Sequence, residues 1–234
     1  MLGKTRLFGL VVVLLVAGRA AADERFSSLR EPSVTRTVGT PRDGERVPLV
    51  VVLPALGGTA EEMLARLAPA IPLPAYVALL PGGRPSSTDA LTDFAGYLTA
   101  LEARLRTDVE RAKRELPVDA DRIYLLGFSL GGDAAWALLG RLPDLVRGAL
   151  VASSRASATL RAAALTTLRT RKARVAFTVG QRDDAGRVRG IEAARDTLER
   201  AQIPTDLFAF DGAHQLPPPD DDTLPRALRF LFER

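Results

Sequence analysis

Short apolar runs alternate with longer amphipathic segments along most of this chain. A continuous apolar run of about six residues is typical of a strand buried on both faces of a parallel sheet. A more polar strand is also predicted over residues 34–38. The apolar runs cover residues 48–53, 75–80, 122–128, 148–152, 175–179 and 206–210.

Segments with helical periodicity separate most of these runs. Because strands and helices alternate, the pattern predicts an α/β fold with a mostly parallel central sheet flanked by helices on both faces. Roughly twenty residues separate the strand ending near 152 from the next, which leaves room for one helix and not for a lid domain. The predicted helices cover residues 61–67, 89–116, 134–141, 158–168, 188–201 and 225–233.

The first 22 residues follow a different pattern. Lys4 and Arg6 precede an apolar run over residues 7–16, and three alanines ending at Ala22 follow it. This order is typical of a secretory signal peptide cut after Ala22, and the apolar run is short for a membrane span. We therefore expect residues 23–234 to form one domain, periplasmic or secreted, with no stable membrane anchor after cleavage.

Charge and cysteine content narrow the class of protein further. The chain has 32 basic and 28 acidic residues, and removal of residues 1–22, with three basic and no acidic residues, leaves a nearly neutral domain. The basic charge of the full chain is therefore no evidence for binding to nucleic acid or to an anionic membrane, and no nucleic-acid partner is expected. With no cysteine and one histidine, neither disulfides nor a zinc or iron site is expected, and no cofactor is implied.

One motif carries most of the chemical information. An apolar strand leads into Gly127-Phe128-Ser129-Leu130-Gly131, and a segment rich in the helix-favouring residues alanine and leucine follows. Gly-x-Ser-x-Gly between a strand and a helix is the context of a nucleophile elbow, a sharp turn that exposes the serine hydroxyl. Ser129 is therefore the predicted nucleophile.

A serine nucleophile needs a base and a carboxylate that orients it. The single histidine, His214, lies in a loop between the last predicted strand and the last helix. The acid is expected at the end of an intervening strand, where Asp183 and Asp184 are adjacent. Asp183 is preferred because it stands three residues after the glycine that ends the strand, and Asp184 stays open as the alternative. Asp211 is interpreted as a turn residue.

The predicted oxyanion hole needs two backbone N–H donors. Leu130, directly after the nucleophile, is one candidate. Leu56 is the other, in the loop Pro54-Ala55-Leu56-Gly57-Gly58-Thr59 that follows the strand at 48–53. Pro54 has no N–H to offer.

These features resemble small serine esterases of the α/β-hydrolase superfamily, in particular the phospholipase/carboxylesterase branch and secreted polyester depolymerase-like esterases. The resemblance covers roughly residues 47–233 and is strongest over 119–139. The order Ser129, Asp183, His214 agrees with that superfamily. The resemblance implies hydrolysis of a small-molecule or polymeric carboxylic ester through an acyl-enzyme intermediate.

Two other functions are compatible with the sequence. The same triad could serve a peptidase or an acyltransferase, because specificity lies in loops and not in the fold. The esterases that this chain resembles usually have His-Gly where Pro54-Ala55 stand here, which motivates a catalytically silent binding module as a second alternative. The intact set of Ser129, Asp183 and His214 favours an enzyme.

Overall fold

The apolar runs form the strands of one sheet. A computed structural model describes residues 26, 29, 33–79 and 87–233, so the predicted signal peptide and Leu80 lie outside the described residues. Within this part of the chain, seven strands have the spatial order β1-β3-β2-β4-β5-β6-β7. β1 pairs antiparallel with β3, and every other neighbouring pair is parallel. The strands are β1 (Val34–Val38), β2 (Val47–Leu53), β3 (Ala75–Leu79), β4 (Val118–Phe128), β5 (Gly148–Ala152), β6 (Arg174–Gly180) and β7 (Thr205–Phe210).

Helices cover both faces of the sheet. Along β2, Leu49 and Leu53 belong to a core cluster shared with α3, α4, α5 and α6, whereas Val50 and Val52 belong to one shared with α1 and α7. The predicted α/β architecture with two covered faces is therefore confirmed. The helices are α1 (Ala60–Leu67), α2 (Ser87–Thr92), α3 (Phe94–Glu115), α4 (Leu130–Arg141), α5 (Ala162–Thr170), α6 (Ala185–Arg200) and α7 (Thr223–Phe232).

The sequence interpretation was wrong about one long helix. The segment predicted as a single helix over 89–116 forms α2 and α3, which are separated at Asp93. The Asp93 carboxylate accepts a hydrogen bond of 2.9 Å from the backbone N–H of Gly96. Aspartate at this position caps the start of a helix, so α3 begins anew instead of continuing α2.

Several other boundaries also differ from the prediction; α4, for example, begins four residues earlier than predicted, at Leu130. β4 begins at Val118, four residues early, because Val47 pairs with Val118 before the register shifts. α5 begins at Ala162 and not at Ala158, whose carbonyl oxygen accepts a hydrogen bond of 2.7 Å from the indole N–H of Trp136. Residues 153–173 hold α5 as their one helix, so no lid domain is inserted there.

A buried charged cluster ties the start of the described chain to α3. Asp108, 2% exposed, accepts hydrogen bonds of 2.7 and 2.8 Å from the guanidinium of Arg104. The Ser33 hydroxyl donates to the same carboxylate. Arg104 also contacts the carbonyl oxygen of Leu29 at 3.3 Å. This cluster holds the chain before β1 against the helix layer.

Parallel strands bring their carboxyl ends to one edge of the sheet. β4, β6 and β7 end directly before the loops that carry Ser129, Asp183 and His214. β5 lies between β4 and β6, so the loop after it lies between the serine and the other two residues. Among the described residues, no helix combines the length and the apolar character that a membrane span requires.

Candidate active site

The turn at Ser129 is held in a strained backbone conformation. Ser129 has φ 56° and ψ −118° and links β4 directly to α4. Its N–H donates a hydrogen bond of 2.9 Å to the carbonyl oxygen of Ala152, and its carbonyl oxygen accepts one of 2.9 Å from Asp133 N–H. A non-glycine residue keeps such a conformation only where its surroundings enforce it.

The two glycines of the motif allow this turn for steric reasons. A Cβ on Gly127 would lie 2.0 Å from the carbonyl oxygen of Gly131, inside the turn itself. A Cβ on Gly131 would lie 1.9 Å from the carbonyl oxygen of Leu53, at the end of β2. Only glycine lets the strand, the helix and β2 approach this closely.

His214 contacts the nucleophile directly. Its Nε2 lies 2.9 Å from Ser129 Oγ, and its ring stacks on Phe128 with 5.2 Å between ring centroids and 27° between planes. The imidazole is 39% exposed. The structure therefore brings the predicted nucleophile and the predicted base within hydrogen-bond distance.

The structure distinguishes between the two adjacent acids. Asp183 Oδ2 lies 3.1 Å from His214 Nδ1, and the Asp183 side chain is fully buried. Asp183 Oδ1 accepts a hydrogen bond of 2.7 Å from the N–H of Asp184. The Asp184 side chain caps α6 instead, accepting one of 3.0 Å from Gly186 N–H. Asp183 is therefore the acid placed against the histidine.

Backbone hydrogen bonds join the acid loop to the histidine loop. Arg182 N–H donates to Gly212 O at 2.8 Å, and Gln181 N–H donates to Phe210 O at 2.9 Å. Asp211, expected to be a turn residue, forms an exposed ion pair with Arg182. These contacts fix the two loops relative to each other.

The candidate oxyanion donors lie on segments that touch. Leu130 is the first residue of α4, where backbone N–H groups have no partner within the helix. Leu56 is half-buried in the loop between β2 and α1, where Ala55 O accepts a hydrogen bond of 3.0 Å from Gly58 N–H. A Cβ on Gly131 would also lie 2.7 Å from Pro54 O, so the start of α4 packs against the start of that loop.

One acidic residue at this edge was not singled out from the sequence. Asp133 lies four residues after Ser129, and its carboxylate accepts hydrogen bonds from the loop that follows β5. The sequence does contain a signal for this contact. Two serines follow β5, and because β4 and β5 are neighbouring parallel strands, their carboxyl ends bring hydroxyl donors close to an acid that follows β4. No three His, Asp or Glu side chains of the described chain are grouped so that they could hold a metal ion.

The sequence of this chain matches a known protein family. The sequence profile of the dienelactone hydrolase family matches residues 34–215, a range that includes Ser129, Asp183 and His214. Among proteins with curated functions, none gives a significant match to the sequence.

Solved structures similar to this one include several esterases. The Bacillus cereus carboxylesterase superposes with a TM-score of 0.65 at 19% identity, covering 85% of this chain and 93% of its own. Esterase PE8 gives a TM-score of 0.62 at 22% identity, with 87% and 99% covered. The Mesorhizobium loti carboxylesterase gives 0.59 at 16% identity, with 87% and 100% covered. At these identities the similarity establishes the fold, which is that of the α/β-hydrolases.

Proposed function

Because the chain belongs to the dienelactone hydrolase family and is thereby a carboxylic ester hydrolase of the α/β-hydrolase superfamily, we propose that Ser129, His214 and Asp183 are its catalytic triad. The observation that carries the proposal is a continuous chain of contacts. Ser129 Oγ lies 2.9 Å from His214 Nε2, and His214 Nδ1 lies 3.1 Å from Asp183 Oδ2. Three separate loops contribute these groups, and the order of their roles follows from the chemistry of serine hydrolysis.

In the first half of the reaction, Ser129 Oγ attacks the carbonyl carbon of the ester while His214 Nε2 takes the hydroxyl proton. Asp183 accepts the Nδ1–H, which selects the tautomer with a free Nε2 and stabilises the imidazolium that forms. The tetrahedral intermediate collapses, the alkoxide leaves with the proton from His214, and the acyl group stays on Ser129.

In the second half, water replaces the alcohol. His214 takes a proton from the water, the resulting hydroxide attacks the acyl carbonyl, and the carboxylic acid leaves as the proton returns to Ser129 Oγ. In both halves the negative oxygen accepts hydrogen bonds from the N–H groups of Leu130 and Leu56. Every proton is returned, so the reaction consumes only the ester and water.

We also propose that the enzyme acts outside the cytoplasm as residues 23–234, periplasmic or secreted. The support is the order of charged, apolar and small residues over 1–22. N-terminal sequencing of the protein recovered from a bacterial periplasm or culture medium tests this. A chain that begins at Asp23 supports the proposal, and an intact Met1 in the cytoplasm contradicts it.

The catalytic proposal is tested with p-nitrophenyl esters of increasing acyl length and a matched p-nitroanilide. We expect ester turnover that Ser129→Ala reduces by about 10³- to 10⁶-fold. Thr197→Ala is the control, because it removes a hydroxyl on α6 whose two hydrogen bonds, to the Ala193 carbonyl and from the Arg200 guanidinium, stay within or at the end of that helix. Preferred cleavage of the anilide indicates a peptidase, and a folded protein that hydrolyses none of the esters indicates a binding module. Either result contradicts the proposal.

A further inference from the structure

Asp133 connects the nucleophile helix to the loop after β5. It lies in the first turn of α4, and its N–H donates to Ser129 O at 2.9 Å. Its Oδ1 accepts hydrogen bonds of 2.6 Å from the Ser154 hydroxyl and 2.7 Å from Arg155 N–H, with Ala156 N–H at 3.3 Å. One carboxylate oxygen thus holds three donors of a single loop.

We call residues 153–156 the β5 loop, and this loop depends on contacts outside itself. Ser153 and Ala156 have φ values of 46° and 45°, in the left-handed region that non-glycine residues rarely adopt. The side chain of Ser154 is fully buried, and its oxygen also accepts a hydrogen bond of 2.8 Å from Ala156 N–H. Two strained residues in four require a fixed partner, which Asp133 supplies.

The β5 loop contacts the segments that carry the other two triad residues. Ser153 N–H donates a hydrogen bond of 2.8 Å to Thr178 O in β6, and the Ser153 hydroxyl lies 3.4 Å from Gln215 O, directly after His214. A Cβ on Gly190 of α6 would lie 2.0 Å from Arg155 O. The loop is therefore packed between the nucleophile helix on one side and β6, α6 and the histidine loop on the other.

We propose that Asp133 is a positioning residue, which sets the spacing of Ser129 from the Asp183–His214 pair by holding the β5 loop in its strained conformation. The inference rests on the proposed function, because it assumes that this spacing limits the reaction. Near-attack geometry is sensitive to displacement, and a shift of about 1 Å can cost about 100-fold in rate.

Electrostatics identify which property of Asp133 is needed. A carboxylate in the first turn of a helix is stabilised by the helix dipole. One turn from Ser129, however, its negative charge opposes the charge that develops on the substrate oxygen at Leu130 N–H. The negative charge of Asp133 therefore does not promote the reaction. Its contribution is the set of hydrogen bonds that it accepts from the β5 loop. An asparagine, which keeps an acceptor oxygen in the same place, is expected to serve nearly as well.

The test compares Asp133→Ala and Asp133→Asn, using kcat and KM for one p-nitrophenyl ester and the rate of inactivation by a fluorophosphonate. We expect Asp133→Ala to lower kcat and the inactivation rate about 10- to 100-fold, with KM changed less than about 3-fold. Asp133→Asn is expected to stay within about 3-fold of wild type. Asp119→Ala is the control, because Asp119 lies at the start of β4, at the other end of that strand from Ser129, where it accepts a hydrogen bond from Asp121 N–H.

Ser154→Ala gives a second test, since Asp133→Ala leaves a buried hydroxyl without its acceptor and can reduce the amount of folded protein. It removes one donor to Asp133 and should lower kcat in the same direction with KM retained. Wild-type kcat in the folded Asp133→Ala or Ser154→Ala variants overturns the inference. Equal losses in the alanine and asparagine variants, or a loss confined to KM, also overturn it. If ester hydrolysis is lost in Ser129→Ala but retained in Asp133→Ala, only this inference is contradicted. If ester hydrolysis survives Ser129→Ala, the proposed function is contradicted.

Discussion

Gly180 and Gly212 are in backbone contact: a Cβ on Gly180 would lie 2.4 Å from the carbonyl oxygen of Gly212. Gly180 ends β6, three residues before Asp183, and Gly212 lies two residues before His214. The contact sets how closely the strand that carries the acid approaches the loop that carries the histidine. The steric requirement at Gly180 is therefore part of the geometry of the proposed active site.

Gly180→Ala is expected to lower kcat about 10- to 100-fold, because the added Cβ forces the histidine loop away from its place beside Ser129. We also expect a loss of about 1–3 kcal/mol in the free energy of unfolding from overpacking. Steady-state kinetics and urea unfolding measure both effects. Gly44→Ala is the control. It also adds a Cβ to a glycine, and at a strained φ of +74°, but the added Cβ has no atom within 4 Å to displace. If the two variants lose the same small amount of activity, the contact has no catalytic importance.

Substitution of the two adjacent aspartates separates orientation of the histidine from capping of a helix. Asp183→Asn keeps the size of the side chain but favours the wrong imidazole tautomer, so kcat is expected to fall about 10⁴-fold. Asp184→Asn keeps an acceptor for Gly186 N–H, and asparagine caps helices well, so kcat should be unchanged. Comparable losses in both variants, or a larger one at Asp184, would contradict the assignment of the acid.

Asp108 carries a buried charge, and its removal is predicted to lower the free energy of unfolding strongly. Asp108→Ala leaves Arg104 largely buried, at 9% side-chain exposure, without its counter-ion. We expect a loss of about 3–5 kcal/mol in the free energy of unfolding. Glu110→Ala breaks an exposed pair with Lys113 on the same helix and should cost less than about 1 kcal/mol. Equal costs in urea titrations would show that burial of the cluster is energetically unimportant.

Tyr97 gives the fold a defined dependence on alkaline pH. Burial raises its pKa to about 12, from 10.0 in the unfolded chain. Between pH 10 and 12 the unfolded state releases the phenolic proton while the folded state keeps it, so stability falls as pH rises. The decrease is about 2 kcal/mol over that range and is absent well below pH 10.

Tyr97→Phe removes this titration and keeps an aromatic ring to pack against Phe26, whose ring centroid lies 5.9 Å from that of Tyr97. Urea unfolding at pH 9, 10 and 11 should show a shallower decrease in the variant than in the wild type. Parallel curves would mean that Tyr97 ionises as readily in the folded protein as in the unfolded chain.

Much of the fold was predictable because buried parallel strands are continuous apolar runs. Every strand inferred from such a run is present, and β5 has the predicted bounds. Capping and tertiary contacts decided the points that the pattern could not. Asp93 divides one helical pattern into two helices, and the indole of Trp136 uses the carbonyl of Ala158 that a longer α5 would need.

The site was predictable to different degrees. Ser129 lies in a motif whose steric requirements appear in the sequence, and His214 is the single histidine of the chain. Preference for Asp183 over Asp184 rested on spacing, since the directions of adjacent loop side chains depend on backbone angles that a sequence does not reveal. Asp133 was missed for another reason: an acid in the first turn of a helix is usually explained by the helix dipole.

The most direct measurement is labelling of residues 23–234 by a fluorophosphonate, with the adduct located by mass spectrometry. Labelling requires an activated serine beside a working oxyanion hole, whatever the natural ester. We expect one adduct per chain, on Ser129, with strongly reduced labelling in His214→Ala. An adduct on another serine, or none on a folded chain, would contradict the assignment of Ser129 as the nucleophile.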